Sequence, residues 1–96
     1  MRRIQHFING QHKEGTSGRS SDVYDPATGK VQAQVDLASV AEVHEAVTCA
    51  KTAAVQWSES SLTQRTQIMF RFRELLAART DELARAISSE HGKVVS

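Results

Sequence analysis

The sequence changes character once, near Ala38, and this change constrains the fold more than any other feature. Residues 1–36 carry turn residues between short segments of strand-forming residues, whereas residues 39–92 carry apolar residues at the three- and four-residue steps of helices. A chain of 96 residues has room for one small domain. We therefore predict an α+β architecture in which β-hairpins are followed by three helices.

Two turn motifs predict two hairpins in the first part. The Asn-Gly pair at 9–10 can supply positive φ at both central positions of a type I′ turn, so residues 7–12 are predicted to form a hairpin. Residues 25–30 read Asp-Pro-Ala-Thr-Gly-Lys, where the proline presets φ and the glycine permits a left-handed conformation; residues 31–35 then alternate in polarity. The polar, glycine-bearing residues 14–21 between the hairpins predict a loop.

Capping boxes mark the starts of the first two helices. In residues 39–42 (Ser-Val-Ala-Glu) and 61–64 (Ser-Leu-Thr-Gln), the serine can accept from the third helical amide while the fourth side chain returns to the serine amide. A third helix is predicted to begin near Thr80, with acidic residues in its first turn, and to end at Gly92.

The predicted helices carry apolar faces that suit a larger neighbour. In the second helix Phe70 lies off the main apolar stripe that contains Phe72, so this helix is predicted to be covered on more than one side. In the first helix small side chains allow a neighbouring backbone to come close, and the predicted inward residues are Val43, Ala46, Val47, Ala50, Ala53, Ala54 and Trp57.

Charge and composition exclude several classes of partner. Lys plus Arg total 12 and Asp plus Glu total 11, a net charge of +1, so charge gives no reason to expect nucleic acid or an anionic membrane as a partner. The basic start lacks the apolar run of a secretory signal, and no stretch approaches the roughly 20 apolar residues of a membrane span. With a single cysteine besides, we expect a cytoplasmic protein.

The residues most suggestive of chemistry favour structural roles. Cys49 lies in the middle of the first predicted helix beside Ala50 and matches no nucleophile motif, so we expect it to pack. Across the first hairpin His6 and His12 are candidates to face each other, but they lack a third metal ligand, and no metal site is predicted. The remaining histidines are His44 and His91.

The glycines and arginines are interpreted in the same way. Gly10, Gly15, Gly18 and Gly29 form neither Gly-x-Gly-x-x-Gly nor a phosphate loop before a helix, so they are predicted to serve turns. A basic face on the second helix is predicted to be solvated or to form ion pairs between subunits, and its members are Arg65, Arg71, Arg73 and Arg79.

Taken in order, these segments resemble the start of the aldehyde dehydrogenase superfamily. The resemblance runs over nearly the whole chain, through residues 7–10 (Phe-Ile-Asn-Gly), residues 25–31 (Asp-Pro-Ala-Thr-Gly-Lys-Val) and the helical residues from Glu42 to Lys93. Within the superfamily, residues 17–20, 37–39, 69–72 and 88–93 are most similar to the CoA-acylating methylmalonate-semialdehyde dehydrogenases.

The resemblance implies an NAD-dependent oxidoreductase. In that family a thiolate adds to the aldehyde, a hydride passes to NAD, and the thioester is transferred to coenzyme A with loss of carbon dioxide. Residues 1–96 would then be the N-terminal part of an NAD-binding and oligomerisation region, within a doubly wound α/β domain of a homo-oligomer. The family's catalytic and nucleotide-binding segments lie downstream of the matching region, so the resemblance assigns no catalytic, cofactor-binding or metal-binding residue here, and the chain alone is expected to be inactive.

Two alternatives remain at this point. The chain could belong to a non-acylating aldehyde dehydrogenase, in which water rather than coenzyme A receives the acyl group. It could also be a non-catalytic assembly or binding module that works through its hairpin edges and its helix stripe. In the enzyme, the edge strands near Phe7 and Tyr24 are instead expected to serve contacts between domains or subunits.

Overall fold

The computed structural model describes residues 1–95, which contain five strands and three helices. The strands are β1 (Arg2–Ile4), β2 (His6–Ile8), β3 (Gln11–Lys13), β4 (Ser20–Tyr24) and β5 (Val31–Asp36). The helices are α1 (Val40–Ser58), α2 (Leu62–Ala78) and α3 (Thr80–His91). The predicted α+β architecture, with strands followed by three helices, is confirmed.

Strand β5 is the centre of a three-stranded sheet with the order β1-β5-β4. Strand β4 runs antiparallel to β5, and this pair is the second predicted hairpin. Strand β1 runs parallel to β5 on its other side, with Ile4 opposite Val35. The pairing of β1 was not predicted, because three residues in a basic N-terminal segment show no strand periodicity of their own.

The first predicted hairpin forms a separate two-stranded ribbon from β2 and β3, called the ribbon below. Asn9 and Gly10 both have positive φ, at 54° and 71°, as a type I′ turn requires. Phe7 pairs with His12 across the ribbon, whereas His6 pairs with a lysine. The expectation that His6 and His12 face each other is therefore wrong, because neighbouring positions of a strand point to opposite faces.

The predicted loop at residues 14–21 is shorter than expected. Strand β4 already begins at Ser20, which pairs with Asp36, and Ser21 pairs with Val35. The serines have low intrinsic preference for strands, but the ladder to β5 supplies hydrogen bonds that the local sequence does not reveal.

Both capping boxes are present as predicted. The Ser39 hydroxyl accepts from the Glu42 amide at 3.1 Å, and the Glu42 carboxylate accepts from the Ser39 amide at 3.0 Å. Ser61 and Gln64 repeat the arrangement at 3.1 and 3.2 Å, with a neutral amide in place of the carboxylate. The two boxes fix where α1 and α2 begin.

The C-terminal end of α3 lies against the turn between β4 and β5. The side-chain amide of Gln32 in β5 donates to the carbonyl of Ser89 at 2.8 Å. Gly92 ends the helix with φ of 85°, as predicted, and a Cβ at this position would lie 3.2 Å from Cγ of Pro26. A glycine at residue 92 therefore both permits the left-handed conformation that ends α3 and allows the helix end to lie close to Pro26.

The described residues bury very little apolar surface among themselves. Ala33 is their only fully buried apolar residue, and Phe70 and Phe72 are 58% and 52% exposed. The radius of gyration is 17.1 Å, whereas a compact domain of this length has about 12.5 Å. The accessible surface is 8004 Å², against about 5,500 Å² for a compact protein of this mass. The helix faces therefore remain open.

We predict that the isolated 96-residue chain binds the dye ANS and melts without a sharp cooperative transition, because its apolar faces lack a common core. Fluorescence titration and calorimetry measure the two properties. A Phe70→Gln, Phe72→Gln variant should bind less dye, since it removes two exposed rings. A cooperative melting transition without dye binding would contradict the prediction.

Candidate functional site

Polar side chains and amides converge where β1, the loop after β3, the end of β5 and the start of α1 meet. We call this group the junction cluster; its members are Arg3, His6, Gly15, Thr16, Asp36 and Glu42. It connects segments that are far apart in sequence, so it determines how the strands sit against the first helix.

Asp36 is the central member of the junction cluster and is only 6% exposed. Its Oδ1 accepts from Arg3 Nε at 2.7 Å, and its Oδ2 accepts from the Gly15 amide at 2.7 Å. The arginine first, and then the amide, hold the pKa of Asp36 below its ordinary value. The carboxylate is therefore charged and satisfied although it is buried.

Gly15 approaches Asp36 more closely than any other residue type would allow. A Cβ built on Gly15 would lie 2.8 Å from Asp36 Cβ, a distance at which something must shift. The same glycine donates its amide to the carboxylate, so the loop cannot simply move away.

Arg3 links Asp36 to the loop. Besides Asp36, its guanidinium contacts the Glu14 carboxylate and donates to the Gly15 carbonyl at 3.4 Å. These two acidic side chains, Asp36 first, raise the pKa of Arg3 above its ordinary value. Arg3 is thus charged at any pH of interest and serves as a permanent cation for β5.

Glu42 serves more than the capping box. Its two oxygens each lie 3.3 Å from the amide of Thr16 as well, so α1 is joined to the loop. The amide of Ser39 first, and that of Thr16 in addition, hold the pKa of Glu42 below its ordinary value. Nε2 of His6 lies 3.3 Å from Glu42 Oε2, yet this nitrogen is buried without a hydrogen-bond partner of acceptable geometry.

Cys49 lies in the middle of α1 and is half-buried. It lines a cleft of about 430 Å³ between α1 and the ribbon, together with Phe7, Ile8, Asn9, Gly10, Ala46, Ala50 and Ala53. These neighbours are apolar or turn residues, which agrees with packing; that Cys49 has no chemical role stays a prediction.

A larger open groove of about 880 Å³ lies between α1 and α2. Ala53, Ala54, Trp57 and Ile68 form part of its walls, so the alanine stripe faces open space here. Arg65 differs from the predicted exposed basic face: it donates to the Trp57 carbonyl at 2.8 Å, and its guanidinium lies 5.3 Å from the centre of the indole ring. It therefore braces the junction of the two helices.

The other histidines and the glycines are dispersed. His12 packs edge-on against Phe7, with ring centres 5.1 Å apart, while His44 and His91 are exposed. Within residues 1–95, no three His, Cys, Asp or Glu side chains are grouped so that they could hold a metal ion. Gly10, Gly18 and Gly29 have positive φ in turns.

That none of the described residues binds a dinucleotide stays a prediction. Both long helices begin with a serine capping box, in which one first-turn amide, that of Glu42 or Gln64, already donates to the serine hydroxyl. In the part of the chain that the structure describes, no helix is both long and apolar enough to cross a membrane.

Sequence reasoning missed the junction cluster. The local pattern predicts Glu42 only as part of a capping box and Arg3 only as part of a basic start, and it predicts no role for Asp36. The one signal in the sequence is an acidic residue that closes an alternating strand, but its partners lie 33 and 21 positions away. A pattern within one segment does not reveal such a contact.

The geometry thus defines an α+β segment organised by a buried carboxylate and presenting open apolar helix faces. The profile of the aldehyde dehydrogenase family matches residues 12–96. Malonate-semialdehyde dehydrogenase 3 of Geobacillus kaustophilus is 43% identical over 91 residues, covering 95% of this chain and 19% of that protein. Malonate-semialdehyde dehydrogenase of Listeria monocytogenes is 36% identical over 96 residues, covering 100% of this chain and 20% of its own length.

Solved structures agree. A methylmalonate-semialdehyde dehydrogenase of Oceanimonas doudoroffii matches with a TM-score of 0.93 and 42% identity, over 99% of this chain and 19% of that one. A Sinorhizobium meliloti protein described by the same activity was solved in complex with NAD. It matches with a TM-score of 0.94 and 42% identity, over 99% of this chain and 19% of that one. The chain belongs to the aldehyde dehydrogenase family, and it spans about a fifth of the length of the relatives that it matches.

We predict that Gly15→Ala loosens the loop, because the added methyl group meets Asp36. Overpacking of this kind costs about 1–3 kcal/mol, so tryptic cleavage after Arg19, within the same loop, should accelerate roughly tenfold. Mass spectrometry of the cleavage products measures the rate in the protein expressed from its complete coding sequence. Gly18→Ala is the control: its Cβ would meet no atom within 4 Å, so it adds only the strain of positive φ. Equal rates for the two variants would contradict the role assigned to Gly15.

We predict that the contribution of Asp36 to stability is lost in acid. Because its folded-state pKa lies below the unfolded value, the contribution is fully present above about pH 4 and disappears as the pH falls through the folded value. In the protein expressed from its complete coding sequence, the melting temperatures of the wild type and Asp36→Asn should therefore converge as the pH falls below about pH 4. Arg3→Gln removes the largest cause of the lowered pKa, so in that background the melting temperatures with aspartate and with asparagine at residue 36 should reach convergence at a higher pH. A difference that stays constant down to about pH 2, well below the ordinary pKa of a carboxyl, would refute the assignment.

Proposed function

We propose that this chain is the N-terminal part of an NAD-dependent, CoA-acylating malonate- or methylmalonate-semialdehyde dehydrogenase. The complete enzyme would oxidise the semialdehyde through an enzyme-bound thioester and release an acyl-CoA, carbon dioxide and NADH. The observation that carries this proposal is the agreement over 99% of the chain, at 42% identity, with structures described by this activity.

The proposal gives the chain a structural role. Residues 1–96 would be part of the NAD-binding and oligomerisation region, attached to a doubly wound α/β domain. Their open helix faces, which include Phe70 and Phe72, are suited to covering an apolar neighbour. The junction cluster would then hold the strands in register against α1 while the helices pack elsewhere.

The chemistry itself is proposed to come from residues of the complete enzyme that lie outside this segment. NAD would accept the hydride when bound, and we assign no step of the reaction to residues 1–96. The proposal assigns no catalytic, cofactor-binding or metal-binding role within residues 1–96, and we propose that Cys49 is a packing residue in α1. By family analogy the complete enzyme would be a cytoplasmic homo-oligomer.

We predict that the protein expressed from the complete coding sequence forms NADH from malonate or methylmalonate semialdehyde when NAD and coenzyme A are present. Absorbance of NADH gives the rate, and mass spectrometry identifies acetyl-CoA or propionyl-CoA. The 96-residue chain should form no NADH under the same conditions. NADH formation without coenzyme A, with a carboxylate as product, would instead favour a non-acylating dehydrogenase.

The matched control is Cys49→Ala in the complete protein. Because the cysteine lies in a small apolar cleft on α1, its loss should leave turnover within about twofold of the wild type. Abolition of turnover in a variant that is still folded would overturn our placement of the nucleophile elsewhere. Failure of every semialdehyde to react, with or without coenzyme A, would favour the non-catalytic module.

A further inference from the structure

One ion-pair contact of the junction cluster is incomplete. Nε2 of His6, on the ribbon, lies 3.3 Å from Oε2 of Glu42 in the first turn of α1, and the two side chains are only 15% and 13% exposed. The nitrogen is nevertheless buried without a hydrogen-bond partner. A neutral imidazole could at most donate one hydrogen bond from this nitrogen, whereas a protonated one would in addition bring a full positive charge close to the carboxylate.

The surrounding charges leave Glu42 as the acid that needs a cation. Arg3 is engaged by Asp36 and Glu14, and Lys13 is engaged by Glu45. Among the described residues, the only basic side chain within ion-pair distance of Glu42 is His6. The charged groups that interact with His6 are Glu42 of α1 and Asp36 of β5, and Lys13 is its pairing partner within the ribbon. Arg3 of β1, Glu14 of the loop and Glu45 of α1 are the ion-pair partners of Asp36 and Lys13, or of one another.

We propose that His6 and Glu42 form a proton-operated clasp, which fastens the ribbon to the first turn of α1 when the imidazole is protonated and loosens when it is neutral. The carboxylate of Glu42 accepts from the amides of Ser39 and Thr16, which favour its charged form. Histidine is the side-chain type whose charge changes most readily between about pH 5 and 8, so the imidazole is the partner that would operate the clasp. Protonation places a full positive charge beside Glu42 at a site with little water to screen it.

The clasp holds the ribbon beside the middle of α1. The turn of the ribbon, Asn9 and Gly10, lines the same cleft as Cys49 and Ala50 of the helix. The ribbon is joined to the described sheet only through the chain, since β2 and β3 pair with each other alone among residues 1–95. Loosening the His6–Glu42 contact therefore leaves Lys13 with Glu45 as the ion pair that still joins the ribbon to α1, so the ribbon moves more easily relative to this part of the helix. This inference does not depend on the proposed enzymatic activity.

The test is hydrogen exchange by mass spectrometry on the peptide that spans β2 and β3, in the protein expressed from its complete coding sequence. At about pH 5.5, His6→Gln should exchange about fivefold faster than the wild type, and at about pH 8 the two should agree within about twofold. Comparison at equal pH cancels the intrinsic pH dependence of exchange. Glu42→Gln should behave in the same way, because glutamine preserves the capping box, as Gln64 does in α2.

His12→Gln is the matched control, since His12 lies on the opposite face of the ribbon against Phe7. Its exchange rate relative to that of the wild type should be the same at both pH values. The double variant of His6 and Glu42 should exchange no faster at about pH 5.5 than either single variant. The clasp would be overturned if the exchange rate of His6→Gln relative to the wild type did not change with pH. It would also be overturned if only His12→Gln showed a pH-dependent loss of protection from exchange.

Discussion

The buried carboxylate of Asp36 is the contact on which the strand half of this segment depends. An ionised side chain at 6% exposure is costly unless charged and hydrogen-bonding partners surround it. Its partners come from β1 through Arg3 and from the loop through the amide of Gly15. The cost is offset only when both segments are in place, so one side chain fixes the parallel pairing of β1 and the path of the loop together.

The same contact explains which parts of the fold could be predicted from the sequence. The Asn9-Gly10 turn, the two capping boxes and the end of α3 at Gly92 depend on residues within a few positions of each other, and all four were predictable. Strand β1, the start of β4 at Ser20 and the junction cluster depend on pairing over long separations. Their stabilising partners lie outside any local pattern, so propensity and periodicity do not identify them.

Glu42 shows how a correct local prediction can be incomplete. Its spacing from Ser39 predicts the capping box, but the carboxylate also engages Thr16 and lies beside His6. In α2 the same motif uses the neutral Gln64, which caps the helix equally well. The charge at residue 42 is therefore not required for capping. The negative charge of Glu42 instead matters for its contact with His6. Glu42→Gln can therefore test the clasp without removing the capping box that begins α1.

The helical half presents the opposite problem, because its internal contacts are too few to fix its geometry. Arg65 against Trp57 joins α1 to α2, and Gln32 with Ser89 joins α3 to the sheet, but the apolar stripes remain exposed. Helices of this kind are stabilised mainly by tertiary packing of their apolar faces. Yet their arrangement agrees with that of complete family members at a TM-score of 0.94. Under the proposed function, the angles of these helices are therefore set by the surfaces that they cover in the complete enzyme, while the polar junction sets the strands.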